Sequence, residues 1–316
     1  MAKDKFRKWN GRINTNDRIE QIAIHSLRYR TAAVQHYLKL ATKKASENTA
    51  YVHQLRVWSR RCNESLRFFR NILPQKQAKK LNRLHRKVRK SANNARDLDV
   101  LIDKYSTQYI SHENPNFIHF LTQERGAAQL PIQELYFYLN NGKVLRKCYK
   151  TIEHKLHSQQ TEFKKFHQVS FEQLAKTNLQ LLAADFFDSM LLSHTHPEEL
   201  HKTRIYGKRL RYAFELARPA LPAKIRKEVY KSISDILTIY GNYNDAHVFQ
   251  EHLQDWIKSS NDIDLVCLFQ ELYYKENAEK KKIMRHINEC NSYQQVYELR
   301  EKFNSLFSYN SYKKVA

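Results

Sequence analysis

A chain of 316 residues that is 41% hydrophobic can bury a sizeable core, which excludes wholesale disorder. Its 55 Lys and Arg against 32 Asp and Glu leave a formal charge of +23, so an anionic partner is implied. No run of 18 apolar residues occurs, since the nearest, Leu179 to Leu192, is interrupted by Asp185 and Asp188, and a membrane span is excluded.

With only 5 Gly and 6 Pro, the chain should have few turns and long helices. Residues 1–16 read as a mobile basic tail, with no apolar stretch behind the charges to form a secretory leader. From Asp17 to Glu47, Ile19, Ile22, Ala23, Leu27, Val34, Leu38 and Ala41 recur at helical spacing and predict an amphipathic helix. A second helix is expected from Tyr51 to Leu73, stopped by Pro74, and a third from Gln75 to Ala95, with a fourth opening near Asp97.

Asn116 to Asn140 reads as one further helix, closed by Asn140-Asn141-Gly142. Thr151 to Val169 is helical but more polar, and it is the expected joint between two bundles spanning about 17–150 and 170–308. Helical patterns resume over Phe171–Leu192, Pro197–Leu221, Pro222–Tyr240 and Asp245–Ile257, then in two C-terminal stretches ending near Phe307, before a tail at 309–316. No segment reads as a strand, so the fold class is all-α.

An internal repeat organises these elements. A shift of 148 residues superposes VHQLRVWSRRCNESLRFFRNILPQK on LHKTRIYGKRLRYAFELARPALPAK, and NNARDLDVL on GNYNDAHVF, in one gapless frame. His53 meets His201, Arg56 meets Arg204, Pro74 meets Pro222, and Asp97 meets Asp245. Two similar, pseudo-symmetric helical bundles follow.

The charge is concentrated in the repeat. From His53 to Lys90 there are 13 Lys or Arg and one acid, Glu64; from His201 to Thr238 there are 10, against Glu215, Glu228 and Asp235. At about 100° per residue, His53, Arg56, Arg60 and Arg67 share an arc of roughly 60°, as do Lys79, Arg83, Arg86 and Lys90 on the next helix. Like charges at this spacing repel, and with one acid for 13 bases they are not there for internal salt bridging. Arg grips phosphate through two N–H groups at once, and His adds a donor that a bound phosphate would keep protonated. A polyanion-binding protein is the expectation.

Two other readings compete. Arg96-Asp97-Leu98-Asp99 and Asn244-Asp245 suggest a metal-dependent phosphohydrolase, but Asp99 has His247 as its counterpart, and Asp97 and Asp245 read as helix N-caps. Nonspecific nucleic-acid binding fits the charge, yet Lys76 to Lys90 carries no aromatic residue on which bases would stack. The scattered His pairs, His154 with His157 and His194 with His196, lack neighbouring acids or Cys, so no metal is expected. Cys62, Cys148, Cys267 and Cys290 are widely spaced, consistent with a reducing cytoplasm and no disulfide framework.

The pattern H-x-x-R-[VI]-x-x-[RK]-R at His53 and His201, each followed by a basic helix, with ARDLDVL in the first half and G-x-x-N-D in the second, resembles the CHAD family, the conserved histidine α-helical domain. The resemblance spans Asp17 to Phe307. It implies two four-helix bundles and non-catalytic binding of inorganic polyphosphate in a basic channel, with polyphosphate granules as a cellular setting and no cofactor. By motif it points to His53, Arg56, Arg60, Arg61, Arg67, His201, Arg204, Lys208 and Arg209. The helices that follow add Lys79, Arg83, Arg86, Lys87, Lys90, Lys227 and Lys231. Lys208 stands at a position often Arg, Asn244 replaces the Arg96 of the first half, and Ser234 and Thr238 continue the second stripe without charge, so the second half is expected to hold ligand more weakly. The E-x-E-x-K signature of an accompanying triphosphatase domain is absent from the sequence.

Overall fold

Helix starts follow local chemistry. Pro74 and Pro222 lack an N–H, and their carbonyls accept the first helical bonds from Ala78 and Arg226 at 2.9 and 3.0 Å. The Glu199 carboxylate accepts from the His196 N–H at 3.2 Å, and Asp262 accepts from the Leu265 N–H at 3.1 Å. The computed structural model describes residues 6–8, 13–108, 115–141, 143–158, 169–192 and 196–308, and every regular element among them is helical.

The chain divides into two units, residues 1–174 and 175–316. The first holds α1 (Ile19–Lys43), α2 (Ala50–Phe68), α3 (Gln75–Ser91), α4 (Asn93–Gln108), α5 (Pro115–Ala127), α6 (Leu130–Asn141) and α7 (Val144–Ser158). Helix α8 (Phe171–Leu191) begins there and continues into the second unit, which holds α9 (Pro197–Ala217), α10 (Ala223–Ser259), α11 (Ile263–Cys290) and α12 (Tyr293–Ser308). In the first unit α1 packs on α2, α6 and α7, while α3 lies against α2, α6 and α7. Ile22, Leu27, Val34, Leu55, Trp58, Leu81, Val88 and Ile152 fill this core. In the second unit α10 packs on α9, α11 and α12 around Leu210, Phe214, Ile233, Phe249, Ile287 and Phe303. Each such side chain contributes on the order of 1.5–3 kcal/mol on burial.

The repeat is visible in the elements, since α2 and α9, and the starts of α3 and α10, coincide under the 148-residue shift. Several expected boundaries differ: α2 ends at Phe68 and not at Leu73, and α3 ends at Ser91 and not at Ala95, so that α4 opens at Asn93. A break between Tyr240 and Asp245 does not occur, and α10 runs through Gly241 without interruption. A mid-helix Gly costs only about 1 kcal/mol, and the neighbouring Tyr240 is buried with its hydroxyl bonded to Asn291 at the end of α11. Conversely, the single helix expected over 116–140 is divided at Ala128–Gln129. Pro131 supplies no N–H there, and the Gln129 amide donates to the Ala41 carbonyl at 2.7 Å, which ties the break to α1. The helix expected over 151–169 is described as α7 as far as Ser158, and residues 159–168 and the tail at 309–316 lie outside the described residues.

Of the expected N-terminal tail, residues 1–5 and 9–12 lie outside the described residues, while Phe6 is placed against the first unit. Its ring lies against Tyr29 and Tyr37 of α1 and Trp58 of α2, with centroids 5.2, 6.3 and 5.9 Å apart. The Arg7 N–H donates to the Tyr29 hydroxyl at 2.8 Å.

The first core contains a polar pair that its repeat lacks. Cys62 Sγ and His85 Nε2 are 3.0 Å apart, both buried, where the second unit has Leu210 and Ile233. Burial pushes the Cys62 thiol up to about 12 and the His85 imidazole down to about 3, so both stay neutral. Because His85 binds its proton less readily folded than unfolded, its contribution to stability is complete above its ordinary value of 6.5 and is lost as pH falls toward about 3. His85→Leu is expected to match the wild type near pH 8 and to exceed it by about 2 kcal/mol near pH 4.5 in urea unfolding. Equal acid sensitivity of the two proteins would contradict this account.

Candidate functional site

The basic stripes of α2 and α3 meet at a residue that belongs to neither. On α2, His53 and Arg67 are exposed and Arg56 and Arg60 half-buried; on α3, Lys79, Arg83, Arg86, Lys87 and Lys90 are exposed. Between them sits Arg89, whose guanidinium is pushed down to about 10, first by burial and then by the charges of Arg60, Arg86, Arg56 and Arg67. Among the described residues no acid pairs with Arg89. Glu64, the one acid of this stretch, is buried and reaches Arg67 at 3.3 Å. Arg61 is not brought to this face: it is buried, with its guanidinium 4.6 Å from the centre of the Trp58 ring.

Asp97 and Asp245 are not N-caps. Asp97 lies inside α4, which opens four residues earlier at Asn93, and Asp245 lies within α10, so the backbone N–H groups that a cap would serve are already bonded. Each carboxylate faces the Arg of its own half's H-x-x-R motif, so the two halves repeat the same pair. Arg56 Nη1 donates to Asp97 Oδ1 at 3.0 Å, and Arg204 Nη2 lies 3.6 Å from Asp245 Oδ1. Arg56 and Arg204, expected to grip ligand, therefore hold α2 to α4 and α9 to α10. Asp99 is buried against Arg125, with Nε to Oδ1 at 2.6 Å. The carboxylates of a phosphohydrolase reading are thus each engaged by a guanidinium, and among the described residues no group of three or more His, Cys, Asp or Glu is placed to hold a metal ion.

In the second unit, Lys227 and Lys231 are exposed along α10, while Lys208 and Arg209 are half-buried on α9. The position equivalent to Arg89 is Leu237, which is buried in the core, so the crowding of guanidinium groups is not repeated. His201 Nδ1 lies 3.0 Å from Asn244 Oδ1, which gives a partner role to the residue that had looked like a lost charge. His201, Arg204, Tyr243, Asn244 and His247 line a shallow depression.

Sequence reasoning missed Arg89 because it lies roughly 60° outside the exposed arc of α3, toward α2, where only the packing of the two helices shows what it meets. It also missed His247 and Lys280, which belong to no repeated cationic motif. The Lys280 ammonium donates to Gln250 Oε1 at 2.7 Å and lies 5.4 Å from the Tyr243 ring centre.

No helix among the described residues is long and apolar enough to cross a membrane. Among curated proteins none matches the chain. The crystal structure of the CHAD domain from the plant Ricinus communis shares its fold, with a TM-score of 0.68 over 96% of this chain and 98% of that one, at 17% sequence identity. The family model for the CHAD domain matches residues 25–254, which contain both His-Arg motifs and the helices that carry them, and the chain belongs to the CHAD family.

Proposed function

We propose that this protein binds inorganic polyphosphate without cleaving it, with the α2 and α3 face of the first unit as the stronger grip and α9 and α10 as its weaker counterpart. The crowding around Arg89 carries the reading. Burial first, and then the charges of Arg60, Arg86, Arg56 and Arg67, disfavour the positive charge on Arg89, and a chain of phosphates beside it would relieve that repulsion. Arg suits the ligand because its planar fork meets phosphate oxygens in pairs. The exposed α3 stripe has no aromatic residue, which favours a thin, base-free polyanion over a nucleic acid. The cytoplasm, in association with polyphosphate granules, is the setting that follows from this reading.

Competition tests it. At matched salt and equal phosphate concentration, long-chain polyphosphate should displace both single-stranded and duplex DNA, and the bound chains should stay intact with Mg²⁺ or Mn²⁺ present. Tighter binding to DNA at physiological salt would replace the reading with nucleic-acid binding. Metal-dependent release of orthophosphate that is abolished by Asp97→Ala would replace it with catalysis.

A further inference from the structure

The basic surface of the first unit does not end at the exposed arc of α3. At about 100° per residue, Lys76, Lys80 and Lys87 leave the helix on the side of that arc opposite Arg89, and all three are exposed. That side meets α7: the two helices pack together, and Cys148 of α7 directs its Sγ at the Gln77 carbonyl, 3.8 Å away. Lys80 stands beside the same contact, since burial pushes the Cys148 thiol up and the charge of Lys80 works against that rise.

Helix α7 adds cations of its own. Lys147, Thr151 and Lys155, spaced by four, form one exposed row next to Cys148. The other flank of α7 belongs to α1, where Tyr149 and Glu153 both meet Arg28. Glu153 is the single acid of α7, so its charge is spent away from the seam with α3. Against that one acid, α3 carries 8 Lys or Arg and α7 carries 4. Among the described residues no acid pairs with Lys76, Lys80, Lys87, Lys147 or Lys155.

The duplication shows what an ordinary seam looks like. The position of Lys80 is Glu228 in the second unit, and Glu228 reaches Lys302 of α12 at 3.4 Å, where α10 packs on α12. An ion pair holds that seam. In the first unit the same place carries like charges only, which repel unless an anion lies between them.

We propose that the seam between α3 and α7 is a second track for polyphosphate, lined by Lys76, Lys80, Lys87, Lys147 and Lys155, so that one long chain grips α3 from both flanks. The inference rests on the polyphosphate reading and extends it to a helix outside the duplicated motifs. Phosphates held on the α2 and α3 face raise the local concentration of the rest of the chain at α7, so long chains gain from both flanks while short ones occupy one.

Titration of the full-length protein with long-chain polyphosphate and with tripolyphosphate tests the track. Wild type is compared with Lys147→Gln/Lys155→Gln, with Lys80→Glu, which installs the acid of the second unit, and with the exposed control pair Lys281→Gln/Lys282→Gln, all checked by thermal melts. At moderate salt the first two variants should each weaken long-chain binding at least about fivefold, and the control less than about twofold. Losing Lys147 and Lys155 should flatten the salt dependence by roughly 1.4 units, at about 0.7 per contact. Tripolyphosphate affinity of that variant should stay within about twofold of wild type. Unchanged long-chain binding in both variants, or an equal loss in the control, refutes the track while leaving the α2 and α3 face in place. Equal losses for long and short chains refute the grip on two flanks. Absence of any polyphosphate binding by the wild type instead refutes the broader reading.

Discussion

Replacing Lys79, Arg83, Arg86 and Lys90 together by Gln should weaken binding of long-chain polyphosphate at least about a hundredfold at moderate salt, without unfolding the protein. All four side chains are exposed on one face of α3, and the core positions of that helix, Ala78, Leu81, Leu84, His85 and Val88, are untouched. If each cation neutralises one phosphate of a flexible chain, losing four should flatten the dependence of log K on log salt by roughly 2.8 units, from about 0.7 per contact. The control removes the same charge elsewhere, through Gln at Lys258, Lys275, Lys281 and Lys282, all exposed in the second unit. That variant tests whether net charge alone draws the polyanion. Its slope should change by less than about one unit, because diffuse charge acts through a screened field and not through released counterions at a contact. Equal losses in the two variants would mean that the α2 and α3 face is no site at all. Retained affinity in the α3 variant would move the grip elsewhere on the chain.

Arg125→Ala is expected to destabilise the first unit by about 3–5 kcal/mol near neutral pH, a large share of the stability of an ordinary domain. The substitution strands Asp99, whose carboxylate is 1% exposed, accepts from Arg125 Nε at 2.6 Å, and has no hydrogen-bond partner at Oδ2. Burial already holds this carboxyl above its ordinary range, although Arg125, Arg96 and Arg56 pull it down. Without Arg125 it should rise further. A carboxyl whose folded value is raised contributes most at low pH and loses that contribution as pH rises, so the deficit of Arg125→Ala should shrink from pH 8 toward pH 5. Adding Asp99→Asn should recover much of the lost stability at neutral pH, because the charge that was buried is gone. Urea unfolding of the single and double variants at both pH values makes the check, and a double variant no more stable than Arg125→Ala would show that burial of the carboxylate is not the cause. Polyphosphate affinity of the folded variants should be unchanged, since Arg125 lies on α5 and not on the binding face of α2 and α3.

What could be read directly from the residues was whatever depends on near neighbours along the chain. The all-helical class follows from scarce Gly and Pro and from apolar spacing near 3.6, the helix starts after Pro74 and Pro222 follow from proline's missing N–H, and the duplication follows from two blocks in one frame. Exposure of Lys79, Arg83, Arg86 and Lys90 was legible for the same reason, because residues spaced by three and four share a face whatever that face meets. Tertiary structure alone decided which cations are committed elsewhere. Arg56 and Arg204 turn to acids 41 residues away along the chain, Arg61 turns to Trp58, and Arg89 becomes crowded only because α2 packs beside α3. It also carried α10 through Gly241 and placed Lys280 beside Tyr243. Periodicity reports the direction in which a side chain leaves its own helix, but desolvation and ion pairing depend on distances of a few ångströms to side chains supplied by other helices, and only the packed structure sets those distances.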